Sequence, residues 1–302
     1  MKKIVKTLLI AFLVIMAAVI FKNLYSSKIP IGNRGIKAAV DAGDLKVLLI
    51  GSSTFRSNVD MPMMDDAFDG KVFDISYGGN QCVAVDIQYD EIRKRSDNTY
   101  DLMLFELGPL MLTEEVMLSD SRIIWDMSWD GKKRLWSKMY ESGNTDLPMM
   151  YEYFVTSGFD DLITYPVTEP IYATRYYKGA KTDETVSPGR EYLENEEFDI
   201  SDLEESDAQT AAVKELIDKC IKDGQDFIFI ETPPYYRLYN DPVYQKYLSV
   251  FIDLLEERNV KYILASDVDF DNTDPENYED MNHMSYKGRT LYTKELIKML
   301  SK

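Results

Sequence analysis

The chain has 302 residues, 45% of them hydrophobic, which suits one large α/β domain with an insertion and excludes wholesale disorder. Its formal net charge of -18 excludes a nucleic-acid partner, because phosphate backbones are bound by Lys and Arg patches. One basic triplet, Lys132-Lys133-Arg134, follows Asp126 and Asp130 and reads as a solvated helix face.

The first element is apolar. Lys2, Lys3 and Lys6 precede a continuous apolar run from Leu8 to Phe21. With Ile4 and Val5 the stretch is about 18 residues, the short end of the range for a transmembrane helix. A cleaved signal peptide is the alternative. No small-x-small cleavage site is evident, since Ala17-Ala18 is followed by Val19, Ile20 and Phe21. The expected organisation is a cytoplasmic tail over 1–6, a transmembrane signal anchor over 7–25 and a stalk over 26–44. The N-terminal lysines place the start of the chain inside the cell, and the bulk of it outside, on a single-pass anchor.

From residue 45 onward, β-type runs and helical patterns alternate. Val47–Ile50 is apolar throughout, as a strand buried on both faces should be. Further strands are expected at Lys71–Ile75, Tyr100–Phe105, Asp226–Ile230 and Lys261–Ala265. Val213, Leu216, Ile217, Cys220 and Ile221 form a helical stripe that Gly224 ends. Asp241-Pro242 reads as an N-cap and first helical position, and Tyr247, Leu248, Phe251, Leu254 and Leu255 as the apolar face that follows. Ser285 caps the last helix, with Leu291, Leu296, Ile297 and Leu300 on its apolar face. Such alternation predicts an α/β fold with a parallel sheet and helices on both faces.

Residues from about 110 to 200 interrupt this alternation. Trp125, Trp129, Trp136 and many tyrosines suggest an insertion whose aromatics form a small core or line a groove. Cys82 and Cys220 are the only cysteines, too few for a disulfide framework, and Cys220 reads as a buried thiol. One histidine and two separated cysteines cannot supply the usual spacing of a metal site. The reading requires no cofactor.

The single histidine, His283, lies in Asp280-Met281-Asn282-His283, far in sequence from the strand-to-helix turn Gly51-Ser52-Ser53. A surface histidine beside an acid is the bland reading, but the distant serine turn supplies the pattern of a nucleophile and its base. Ser53 would be the nucleophile, His283 the general base, and Asp280 the group that orients the imidazole. In a doubly wound sheet these residues follow strand C-termini and converge at one edge. The N–H groups of Ser53 and Gly79 would hold the oxyanion, with the Asn80 side chain as a further donor or a turn residue. Arg56, one turn after Ser53, can meet a substrate group or pair with Asp60. Tyr235 can shape the pocket. Glu106, at the end of the third strand, can touch substrate or lie buried beside a helix N-terminus.

Three blocks, Leu48-Leu49-Ile50-Gly51-Ser52-Ser53, Tyr77-Gly78-Gly79-Asn80 and Asp280-Met281-Asn282-His283, together resemble the SGNH/GDSL hydrolase superfamily. Ser52 stands where that family usually has Asp. The resemblance covers most of 45–109 and 226–302 but not the insertion. It implies a three-layer α/β/α, flavodoxin-like domain over 45–302. The Gly-Ser-Ser variant and the N-terminal anchor are closer to the membrane-anchored branch that includes DltD, the D-alanyl transfer protein of teichoic acids, and the SGNH proteins of polysaccharide O-acetylation. The implied activity is a serine esterase or O-acyltransferase on acyl esters of a cell-envelope polymer, with a membrane-bound O-acyltransferase as partner. One departure is plain: Phe105-Glu106-Leu107-Gly108-Pro109 lacks the Asn that the family's third block gives to the oxyanion hole. A non-catalytic envelope-glycan binding or scaffold protein on the same fold is the alternative.

Overall fold

The computed structural model describes residues 2–28, 34–96, 100–113, 115–117, 121–144, 148, 151–156 and 176–301. Five short strands form one all-parallel sheet: β1 (Val47–Ile50), β2 (Val72–Asp74), β3 (Leu102–Glu106), β4 (Phe227–Ile230) and β5 (Tyr262–Ile263), in the order β2-β1-β3-β4-β5. Leu48 lies opposite Phe73 on one side and Met103 on the other, and Phe105 lies opposite Phe229. The side chains of β1 and most of β3 are buried on both faces, which is why these runs carry almost no polar residue.

The helices are α1 (Lys2–Tyr25), α2 (Gly35–Ala42), α3 (Ser53–Asn58), α4 (Met61–Ala67), α5 (Cys82–Arg95), α6 (Ser121–Asp126) and α7 (Trp129–Glu141) in the first half. They continue with α8 (Arg190–Asn195), α9 (Asp207–Asp223), α10 (Tyr236–Tyr239), α11 (Pro242–Glu256) and α12 (Tyr286–Leu300). They pack in two groups: α5 lies against α2, α7 and α9, while α12 lies against α3 and α4. Right-handed crossovers that leave β1 and β3 in opposite directions separate helices in this way. The strand order reverses between β1 and β3, so a crevice opens at their C-terminal ends.

The expected caps are formed. Asp241 accepts from Val243 N, Ser285 accepts from Gly288 N, and Gly224 ends α9 in the left-handed conformation with φ 65°. The stripe edges differ from expectation: Ile221 and Leu291 are exposed. Cys82 and Cys220 are buried free thiols.

The N-terminus departs from a simple tether. α1 is long and apolar enough to span a bilayer or act as a signal anchor, and nearly all its apolar side chains are exposed. Its last turn, however, is bonded to the domain. Asn23 Nδ2 donates to Phe154 O at 2.7 Å and Lys22 Nζ to Val155 O at 3.4 Å. Lys132, only 1% exposed on α7, donates to Asn23 O at 2.9 Å and to Ser26 Oγ at 2.5 Å. The basic triplet is therefore not a solvated face: Lys132 caps the end of α1, Arg134 pairs with Asp86 and Asp90, and Lys133 alone is largely solvated, beside Asp130. In the segment expected to be a stalk, α2 buries Ile36 and Ala39 completely and packs on α5 and β2.

Within the insertion, α6 and α7, a π-helical turn at Glu152–Thr156 and a hairpin of Tyr176–Tyr177 with Ala180–Lys181 are described. Residues 157–175 of that insertion lie outside the described residues. Trp125 is buried, Trp136 packs edge-on against Phe154, and Trp129 is exposed. The hairpin is a separate two-stranded sheet whose turn abuts β2, where Asp74 N donates to Lys178 O at 2.9 Å.

Candidate active site

β1 ends at Ile50 and the chain turns through Gly51 into α3. Ser52 is the N-cap, its Oγ accepting from Thr54 N at 3.3 Å. Position 51 admits no side chain: a Cβ there would lie 2.7 Å from Glu106 Oε2 and 2.8 Å from Phe55 Cβ. This turn puts Ser53 at the first helical position, where N–H groups have no intrahelical acceptor.

The loop after β5 brings His283 to that serine. His283 Nε2 lies 3.0 Å from Ser53 Oγ, and His283 Nδ1 lies 2.8 Å from Asp280 Oδ2. The second oxygen of Asp280 accepts from Asn282 N and His283 N, each at 2.8 Å. With Nδ1–H donating to the Asp280 carboxylate, Nε2 is left as the acceptor for the serine hydroxyl, a tautomer assigned from the hydrogen-bond network. Burial alone would raise the Asp280 carboxyl. The His283 hydrogen bond and charge, with the two backbone N–H groups, outweigh it and hold the carboxyl below its ordinary value.

A residue that the sequence reading missed locks this geometry. Asn58, fully buried at the end of α3, donates through Nδ2 to Asn282 O at 2.9 Å and accepts at Oδ1 from Met284 N at 2.8 Å. It also reaches Thr232 Oγ1 at 3.3 Å, so the nucleophile helix, the end of β4 and the histidine loop meet at one side chain. Asn58 has no motif around it. Its only signal is a polar residue on the buried side of a short helix.

Ser53, Gly79, Asn80, Glu106 and His283 line one cleft of about 180 Å³, together with Leu107 to Met111, Thr232, Tyr244 and Asn282. Gly79 sits in the turn after β2 with φ 60°, the left-handed region that glycine adopts without penalty. Three expected roles are corrected. The Asn80 side chain is not an oxyanion donor, because both its hydrogens are engaged, with Gly51 O at 3.0 Å and Gln88 Oε1 at 2.7 Å. It pins the Gly79 turn to the nucleophile turn instead. Arg56 is not among the cleft-lining residues and does not pair with Asp60, which caps α4 at Met63 N and accepts from Thr290 Oγ1. Tyr235 is also absent from the cleft. It is completely buried, donates to Glu194 Oε1 at 2.8 Å, and holds the histidine loop through its N–H to Met281 O at 2.9 Å. Thr232 and Tyr244 line the wall that Tyr235 was expected to shape.

Glu106 is both buried and at the cleft. Its Oε2 accepts from Ser52 N, and its Oε1 accepts from Thr54 Oγ1 and, at 3.0 Å, from Ser52 Oγ. Burial pushes this carboxyl up, against the pull of those three donors and of His283. Among the described residues, no group of three or more His, Cys, Asp or Glu side chains is placed to hold a metal ion. No family model matches the chain, and no curated protein matches it.

Proposed function

We propose that this protein is a membrane-anchored, extracytoplasmic serine esterase or O-acyltransferase of SGNH type, acting on acyl esters of a cell-envelope polysaccharide or teichoic acid. The observation that carries the reading is the relay Ser53 Oγ–His283 Nε2, 3.0 Å, and His283 Nδ1–Asp280 Oδ2, 2.8 Å, in a chain with one histidine. Strand order 2-1-3-4-5 supports the finer fold reading, since it is the order of flavodoxin-like three-layer domains. The apolar α1 behind three lysines supports the anchor and the side of the membrane. A membrane-bound O-acyltransferase is the partner that supplies the acyl group in the transfer form of this reading.

In the reaction, Ser53 Oγ attacks the acyl carbonyl while its proton passes to His283 Nε2. The oxyanion is received by the Ser53 N–H, which has no partner among the described residues, and by the Gly79 side of the cleft. Collapse breaks the ester bond, and the imidazolium returns the proton to the leaving alcohol. A water or an acceptor hydroxyl then takes the acyl group from Ser53 by the same steps in reverse. Asp280 keeps the imidazole oriented throughout.

The test is labelling of the full-length protein in detergent micelles by a fluorophosphonate, beside p-nitrophenyl acetate turnover. Ser53→Ala and His283→Ala are expected to lose about 10⁴-fold or more of both. Full activity of Ser53→Ala rejects the reading. A second reading, a non-catalytic envelope-glycan binding protein, is favoured by one observation: the Asn80 donors are spent, and the strand end Phe105–Pro109 beside the cleft carries no Asn to replace them. It predicts glycan binding that is indifferent to loss of Ser53 or His283.

A further inference from the structure

We propose that Glu106 is a positioning residue that clamps the two neighbours of Ser53 and thereby fixes the nucleophile against His283. The inference rests on the serine-nucleophile reading above.

Glu106 ends β3, and β3 pairs directly with β1, Ile50 lying opposite Phe105. The side chain therefore starts from the rigid centre of the sheet and reaches sideways under the turn that β1 feeds. One oxygen takes the backbone N–H of Ser52, and the other takes the hydroxyls of Ser52 and Thr54. These are the residues on either side of Ser53. Three of the carboxylate's roughly four acceptor positions are filled by the turn, so little is left for substrate, although the group borders the cleft. Gly51 completes the fit, since any Cβ at 51 would occupy the space of Glu106 Oε2.

The consequence for chemistry is geometric. Ser53 Oγ must stay within hydrogen-bond reach of Nε2, and a drift of about 1 Å costs on the order of 10²-fold in rate. On the β2 side the turn is held at Gly51, whose O accepts from Tyr77 N at 3.2 Å and from Asn80 Nδ2 at 3.0 Å; at Ser52 and Thr54, the neighbours of Ser53, Glu106 is the tie to β3. The carboxyl also faces the imidazole across the cleft. The charged groups around His283 are Asp280 on its own loop, Glu106 from β3 and Glu196 from the segment between α8 and α9. A purely structural residue would affect folding alone. Glu106 should also change how the serine responds to pH.

The experiment compares wild type, Glu106→Gln, Thr54→Val and Ser53→Ala, all full-length in detergent micelles. The second-order rate of fluorophosphonate labelling is measured from pH 4.5 to 9, with melting temperature recorded in parallel. Gln replaces one acceptor by an NH₂ group, which cannot take the Ser52 N–H or the hydroxyl pair. Glu106→Gln is expected to lose roughly 10- to 100-fold in labelling rate, with its acid limb moved to lower pH by about half a unit as one carboxylate facing the imidazole is lost. Thr54→Val cuts one bond to the same carboxyl without touching the sheet and is expected to lose roughly three- to tenfold. It decides the matter if Glu106→Gln does not fold. Wild-type rates and an unmoved acid limb in the folded variants overturn the proposal, while leaving the serine reading intact. Equal labelling of wild type and Ser53→Ala rejects the serine reading itself, and the positioning role with it.

Discussion

Asp74 sits at the end of β2 with its side chain fully enclosed, and it shows how one residue can tie stability to pH. One oxygen accepts from Ser76 N at 2.8 Å, while Oδ2 is buried without a hydrogen bond. Burial pushes this carboxyl up to about 6, with the Arg56 charge opposing. The folded protein therefore holds the Asp74 proton more tightly than the unfolded chain does. Its contribution is most favourable below about pH 4 and declines as pH rises through about 6, because in that window the folded state binds more protons. At neutral pH the deficit is on the order of 3 kcal/mol. Asp74→Asn keeps the acceptor for Ser76 and removes the charge. Its stability in urea is expected to match wild type near pH 4 and to exceed it by about 2–3 kcal/mol at pH 7. A constant difference between the two across that range rejects this account. At the same scale, the sequence showed Ser53, Asp280 and His283 because their chemistry admits few residue types. Glu106 was marked by its place at a strand end, but Asn58 acts through hydrogen bonds to partners distant in sequence, and an isolated Asn carries no mark of such a partner.

Among the described helices, α12 carries the tightest glycine constraint. Its N-terminal turn crosses the backbone at Asn277, and a Cβ on Gly288 would lie 2.0 Å from Asn277 O. The same crossing anchors the histidine loop, since Ser285 N donates to Asn277 O at 3.0 Å and Tyr278 bridges to Met284. Gly288→Ala must push the helix off its seat. It is expected to cost about 3 kcal/mol or more in urea unfolding, and serine labelling is expected to fall with it as His283 loses its support. Unchanged stability of this variant contradicts the packing described. The start of this helix was legible, as were those at Asp241 and the stop at Gly224, because caps are local hydrogen-bond chemistry. The edges of the apolar stripes were not, and Ile221 and Leu291 emerged exposed. Periodicity marks a face, but the neighbouring helix decides how wide the buried part of it is. Lys132 was misread for a related reason: its acceptors, Asn23 O and Ser26 Oγ, lie more than a hundred positions away.

For the molecule as a whole, alternation of strands and helices foretold a parallel sheet, but it could not order the strands. That order depends on which crossovers turn back at β1, and no single segment encodes it. The union of α1 with the insertion was equally hidden, since apolar runs reveal a helix and not what its end touches. It yields a further prediction. Lys132 is buried against the end of α1, and burial lowers its amine to about 7. In the full-length protein Lys132 is expected to resist acylation by an amine-reactive ester, while in the chain begun at residue 34 it is modified readily. Mass spectrometry of tryptic peptides reads the difference, and equal modification in both rejects the docked arrangement. The docking also has a mechanical meaning. A domain on a loose leash samples every heading, but one bolted to the last turn of a helix inherits that helix's tilt and roll. Set in a bilayer, such a protein presents its cleft at one bearing and one height. Its reach is then a thin shell above the membrane, and only what passes through that shell can be met.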